Sequence, residues 1–137
     1  MKSKRVVSSG VLAGIFAIST LLFAHHGGSE YDTKNLKTLK GAVTEYYWAN
    51  PHCQIFLDVK DDSGKTVNWG IETLAPAVLR RAGWNPQLLK PGDLVTLVVA
   101  PSKKGTPIGM IRKLILPDGK ELTGGELGEQ PPQKSSN

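Results

Sequence analysis

The 137-residue chain has a single cysteine, Cys53, so no internal disulfide can staple it and the domain must stand on its core alone. Catalytic signatures are missing as well. No serine sits in a G-x-S-x-G turn, and there is neither an H-E-x-x-H pair nor a Gly-rich loop suited to cradling phosphate. The carboxylates Glu45, Asp58, Glu72 and Asp93 are not paired by any spacing, and a non-enzymatic role is the expectation. Strong charge of one sign is also lacking. The formal net charge is +5, but Lys2, Lys4 and Arg5 belong to the first segment, and setting them aside leaves 14 basic against 12 acidic residues, or +2. Nucleic acid is therefore not an expected partner. Internal repeats and low-complexity stretches are absent between the ends.

The one long apolar run lies at the start. Lys2, Lys4 and Arg5 precede the uncharged stretch Val11 to Phe23, which closes on Ala24, the plan of a secretion signal cleaved after Ala24. A retained anchor is the alternative, but Val6 to Phe23 is only 18 residues and is interrupted by Ser8, Ser9, Gly10, Ser19 and Thr20. The expectations that follow are a periplasmic or secreted protein, membrane contact only through this leader, and 113 residues of mature chain. Residues 25–35 read as a polar arm, 36–123 as a β-barrel domain and 124–137 as a flexible tail with too little apolar surface to repay its ordering.

Strands dominate the middle. Leu36 to Trp48 is rich in Thr, Tyr and Val; Cys53, Ile55, Leu57 and Val59 alternate with Gln54, Asp58 and Lys60, Phe56 being the exception on the outer face; and Val67, Trp69 and Ile71 alternate again after the turn Asp61-Asp62-Ser63-Gly64. A short helix, Ala75 to Ala82, follows, with Pro76 suited to its first turn and Gly83 to its end. Leu94 to Ala100 and Gly109 to Leu116 are the next strands, and a short sixth extension lies around Lys120 to Leu122. The pattern is all-β with one short helix. Three strands, a helix and two strands is the order of a small five- to six-stranded OB-like Greek-key barrel, which also closes its own edges; an SH3-like barrel or a small sandwich would use similar ingredients.

Two of the three histidines, His25 and His26, follow directly on the expected cleavage site. A terminal histidine offers its α-amine and ring Nδ1 to one ion, and a third nitrogen from the fold would complete a set suited to Cu(II). The third histidine supplies that candidate. Asn50-Pro51 marks a turn that sets His52 at the mouth of the second strand, and alternation sends Cys53 inward and His52 the other way. His25, His26 and His52 are the candidate metal ligands and copper the candidate ion; the plainer alternative is that His25 and His26 belong to a solvated arm and that His52 caps the turn or hydrogen-bonds the backbone. Glu30 and Asp32 are read as solubilising the arm, and Met110 as a core residue. The alternative is a metal-free module in which Tyr46, Tyr47, Trp48 and Asn50 form an aromatic rim for a small ligand or a periplasmic protein partner, although packing claims at least one of the rings. A copper redox enzyme would further need an open coordination position and a substrate surface.

Gly41-Ala42-Val43-Thr44-Glu45-Tyr46, Trp48-Ala49-Asn50-Pro51-His52, Trp69-Gly70-Ile71-Glu72, Arg81-Ala82-Gly83-Trp84 and Leu89-Lys90-Pro91-Gly92-Asp93, together with Ala24-His25-His26-Gly27, resemble a family of small exported bacterial proteins catalogued only as a domain of unknown function. The resemblance spans nearly the whole mature chain. It implies a periplasmic location and a small β-barrel, and it brings no activity with it. One departure stands out: members of that family often follow the histidine pair with Ser-Phe, where this chain has Gly27-Gly28-Ser29.

Overall fold

The computed structural model describes residues 30–124. His25, His26, the expected leader and nearly all of the expected tail lie outside this range. Within it, β1 (Lys37–Tyr47), β2 (Gln54–Lys60) and β3 (Thr66–Glu72) form an antiparallel meander, α1 (Pro76–Arg81) follows, and β4 (Leu94–Pro101), β5 (Ile108–Ile115) and β6 (Glu121–Thr123) complete the chain. β1 pairs with both β2 and β4, β4 with β5, and β5 closes onto β3 in parallel through Gly70↔Ile108, Ile71↔Gly109 and Glu72↔Met110. Five strands thereby close on themselves as an OB-type barrel, and β6 adds to β5 as an extra strand. No helix among the described residues is long and apolar enough to cross a membrane.

Local chemistry explains the meander. Asp61 Oδ1 accepts hydrogen bonds from Ser63 N, Ser63 Oγ and Lys65 N, while Gly64 takes φ of 83°, a conformation that side chains resist. That turn sets the register of β2 on β3, so that residues equidistant from Ser63 face each other, from Lys60↔Thr66 to Gln54↔Glu72. Ile55, Leu57 and Ile71 point inward and are fully buried.

Register is less simple on β1. Val43 faces Leu57 but Glu45 faces Phe56, so a bulge at Thr44 shifts the alternation by one residue. The turn at Pro91-Gly92-Asp93 docks on the bulge, where Gly92 N donates to the Val43 carbonyl at 2.8 Å and Val43 N to the Asp93 carbonyl at 2.9 Å. Beyond it Tyr46, not Glu45, turns inward. A second register shift falls between Val98 and Val99 on β4.

One end of the barrel is plugged by α1 and the turn after it. Leu79 and Trp84 are buried at 0% and 2% exposure among the core residues, and Trp84 Nε1 donates to the Thr123 carbonyl of β6 at 2.8 Å. Met110 departs from expectation. It is only half-buried, because the parallel pairing of β3 with β5 puts it on the outer face in register with Glu72.

Candidate functional site

β2 and β3 continue to be tied together past their last paired residues. Cys53 N donates to the Leu74 carbonyl at 3.0 Å, Thr73 N to the Cys53 carbonyl at 3.0 Å and Thr73 Oγ1 to the same carbonyl at 2.7 Å. This clamp fixes the backbone at Cys53, next to His52, and at Thr73 and Leu74, next to Glu72. Cys53 points into the core, fully buried, as alternation expects, and burial pushes its thiol pKa up. His52, after the cis Asn50–Pro51 peptide, stands on the outer side of the same strand with 41% of its side chain exposed.

Its ring is not alone there. His52 Nδ1 contacts Glu72 Oε1, and the other oxygen of that carboxylate accepts a hydrogen bond from the Tyr31 hydroxyl at 2.8 Å. Neither Glu72 nor Tyr31 is picked out as a ligand or partner of His52 by the sequence. Tyr31 comes from the segment expected to be a polar arm, yet it is buried at 8% exposure. The backbone around it is pinned to the barrel: Tyr31 bridges to Ser102, Asp32 N donates to the Pro101 carbonyl at 2.8 Å and Lys103 N to the Glu30 carbonyl at 2.9 Å. Burial, the hydrogen bond to Glu72 and the nearby charges of Glu72 and Glu30 all push the Tyr31 phenol pKa up, so it stays a donor.

The two arm carboxylates have local partners. Asp32 accepts from Lys34 N, Asn35 N and Asn35 Nδ2, bonds that lower its pKa, and Glu30 pairs with Lys104 at 3.4 Å. Among the described residues no group of three or more His, Cys, Asp and Glu side chains is gathered as a metal cage. An ion at His52 therefore needs ligands from elsewhere, and the expected ones, His25 and His26, lie outside the described residues.

The aromatic rim is divided between two faces. Tyr46 is half-buried, donates to the Asn85 carbonyl at 3.2 Å and meets Trp48 edge to face with centroids 6.0 Å apart. The Arg80 guanidinium lies 5.7 Å from the Trp48 ring centroid, and Trp48 Nε1 is buried with no partner among the described residues. Tyr47 points the other way, 51% exposed, packs edge to face on Phe56 and hydrogen-bonds to Glu45. Asn50 is exposed in the turn between β1 and β2. Tyr46, Tyr47 and Trp48 thus form no common stacking surface, a consequence of strand alternation beyond the bulge. On the Tyr47 side, an open cavity of about 230 Å³ is lined by Tyr31, Gln54, Phe56, Gly70, Glu72 and Ile108, beside the carboxylate that holds His52.

No curated protein matches the chain. A family model described as a family of unknown function (DUF6152) matches residues 13–112, a span that takes in His25, His26, Tyr31, His52, Glu72 and most of the barrel, and the chain belongs to that family.

Proposed function

We propose that this chain is an exported, non-enzymatic barrel that handles copper, binding Cu(II) between the α-amine and rings of His25 or His26 and the ring of His52. The observation that supports the reading is the meeting of Tyr31 and His52 on one carboxylate, Glu72. Tyr31 follows His26 by five residues, which extended chain spans with up to roughly 17 Å. The histidine pair thereby lies within chain reach of His52. The chemistry favours copper: three nitrogens in a near-planar set suit Cu(II), and an α-amine with a pKa near roughly 8 costs little to deprotonate.

The reading is tested by Cu(II) titration of chain beginning at His25, once with its α-amine free and once with it acetylated. One ion should bind, and acetylation should weaken it by at least about tenfold, since a blocked amine no longer donates to the metal. Equal affinities would sink the proposal.

The open cavity beside Glu72, the exposed Tyr47 ring and the half-buried Phe56 ring favour a second reading, a metal-free module that holds an apolar ligand or partner protein on that face. A ligand whose binding is unchanged by a metal chelator and lost in Phe56→Ala would support it over copper.

A further inference from the structure

We infer that Glu72 is a positioning residue which fixes His52 in its Nδ1–H form, leaving the Nε2 lone pair as the ring's metal donor. This rests on the copper reading for its purpose, though not for its geometry. A carboxylate has no proton to give, so both groups that meet Glu72 must donate to it. The Tyr31 hydroxyl donates to Oε2, and the contact at Oε1 requires the hydrogen on His52 Nδ1. A neutral imidazole carries one hydrogen, and Nε2 is then the unprotonated nitrogen.

The arrangement is held from both sides. Glu72 is the last residue of β3, opposite Gln54 and two residues along from His52 on the same outer face. Thr73 and Leu74 are hydrogen-bonded to Cys53, so neither the carboxylate nor the imidazole can drift along the strand direction without breaking backbone bonds. Tyr31 occupies the second oxygen and stops the carboxylate from rotating away. A carboxylate on the non-ligating nitrogen of a histidine fixes the ring's orientation and raises its basicity toward a metal, and such supporting partners are worth roughly 10–100-fold in affinity. Tyr31 also joins this support to the chain that leads back to His26, so the same contact that fixes the ring anchors the arm.

The test begins without metal. Imidazole ¹⁵N shifts of the unaltered protein at about pH 8, where an ordinary imidazole is neutral, report which nitrogen of His52 carries the hydrogen. Nδ1–H is expected, with Glu72→Ala losing that preference and binding Cu(II) at least about tenfold more weakly while its thermal melt stays cooperative. His52 protonated on Nε2 in the unaltered protein would overturn the inference, and so would a Glu72→Ala protein with unchanged tautomer and affinity. If the tautomer is as expected but His52→Ala binds Cu(II) as the unaltered chain does, the copper reading fails and the tautomer assignment stands.

Discussion

Trp84→Ala is expected to destabilise the barrel by about 3–5 kcal/mol, the range for truncating a fully buried large aromatic residue. Trp84 is the largest fully buried side chain, closing the barrel end together with Leu79. Its removal leaves a cavity that the closed sheet cannot collapse to fill, and it leaves the Thr123 carbonyl without its indole donor. For a domain of this size the midpoint should fall by roughly 4–8 °C for each kcal/mol lost. Trp84→Phe separates the two causes. It keeps most of the apolar volume and loses the hydrogen bond, so it should fall between the wild type and the alanine variant. Thermal unfolding followed by circular dichroism reads both, and a Trp84→Ala protein that melts with the wild type would refute the plug.

Gly41→Ala is the second large effect. A Cβ built at Gly41 lies 2.2 Å from the Asp58 carbonyl oxygen, which belongs to the backbone of β2 and cannot swing aside as a side chain does. β1 carries β2 on one edge and β4 on the other, with Gly41 facing Val59 and Val95, so parting it from β2 opens the barrel at its central strand. The cost should reach at least the about 1–3 kcal/mol typical of forcing a methyl group into a packed interior. Gly70→Ala is the matching control. There the added carbon meets only the Phe56 ring, at 3.2 Å, and a half-exposed ring can move. Urea titration of the two variants side by side should rank Gly41→Ala well below Gly70→Ala, and equal midpoints would contradict the close approach of β1 and β2.

Much of the barrel was legible in the residues. Alternation in β2 and β3, the Asp61 to Gly64 turn, Pro76 at the helix start and the apolar run of β4 each carry a local cause, and together they order the strands as they are found. The pairing of His52 with Glu72 was legible in principle. Once the turn centres the meander on Ser63, Gln54 must face Glu72, and His52 lies on the same outer face two residues away. Linear spacing hides this, because twenty residues separate the two in sequence.

Other features had no local signal. The bulge at Thr44 depends on the turn after Lys90 docking on Val43, a contact between distant segments, and it decides that Tyr46 and Trp48, rather than Glu45 and Tyr47, turn inward. Tyr31 is an isolated aromatic in a polar segment. Its burial is decided by Pro101, Ser102 and Glu72, none of which sequence periodicity connects to it. Met110 was drawn outward by a parallel pairing that its own strand pattern does not reveal.

The most direct measurement is the Cu(II) affinity of the chain beginning at His25, compared with that of the same chain carrying His52→Ala. A site shared between the terminus and the barrel requires the variant to bind at least about 10–100-fold more weakly, since a ligand should count for no less than the partner that supports it. Its spectrum by electron paramagnetic resonance should change with the loss of one nitrogen donor. Equal affinity and an unchanged spectrum would mean that the terminus binds copper as a free peptide does, with no part played by His52.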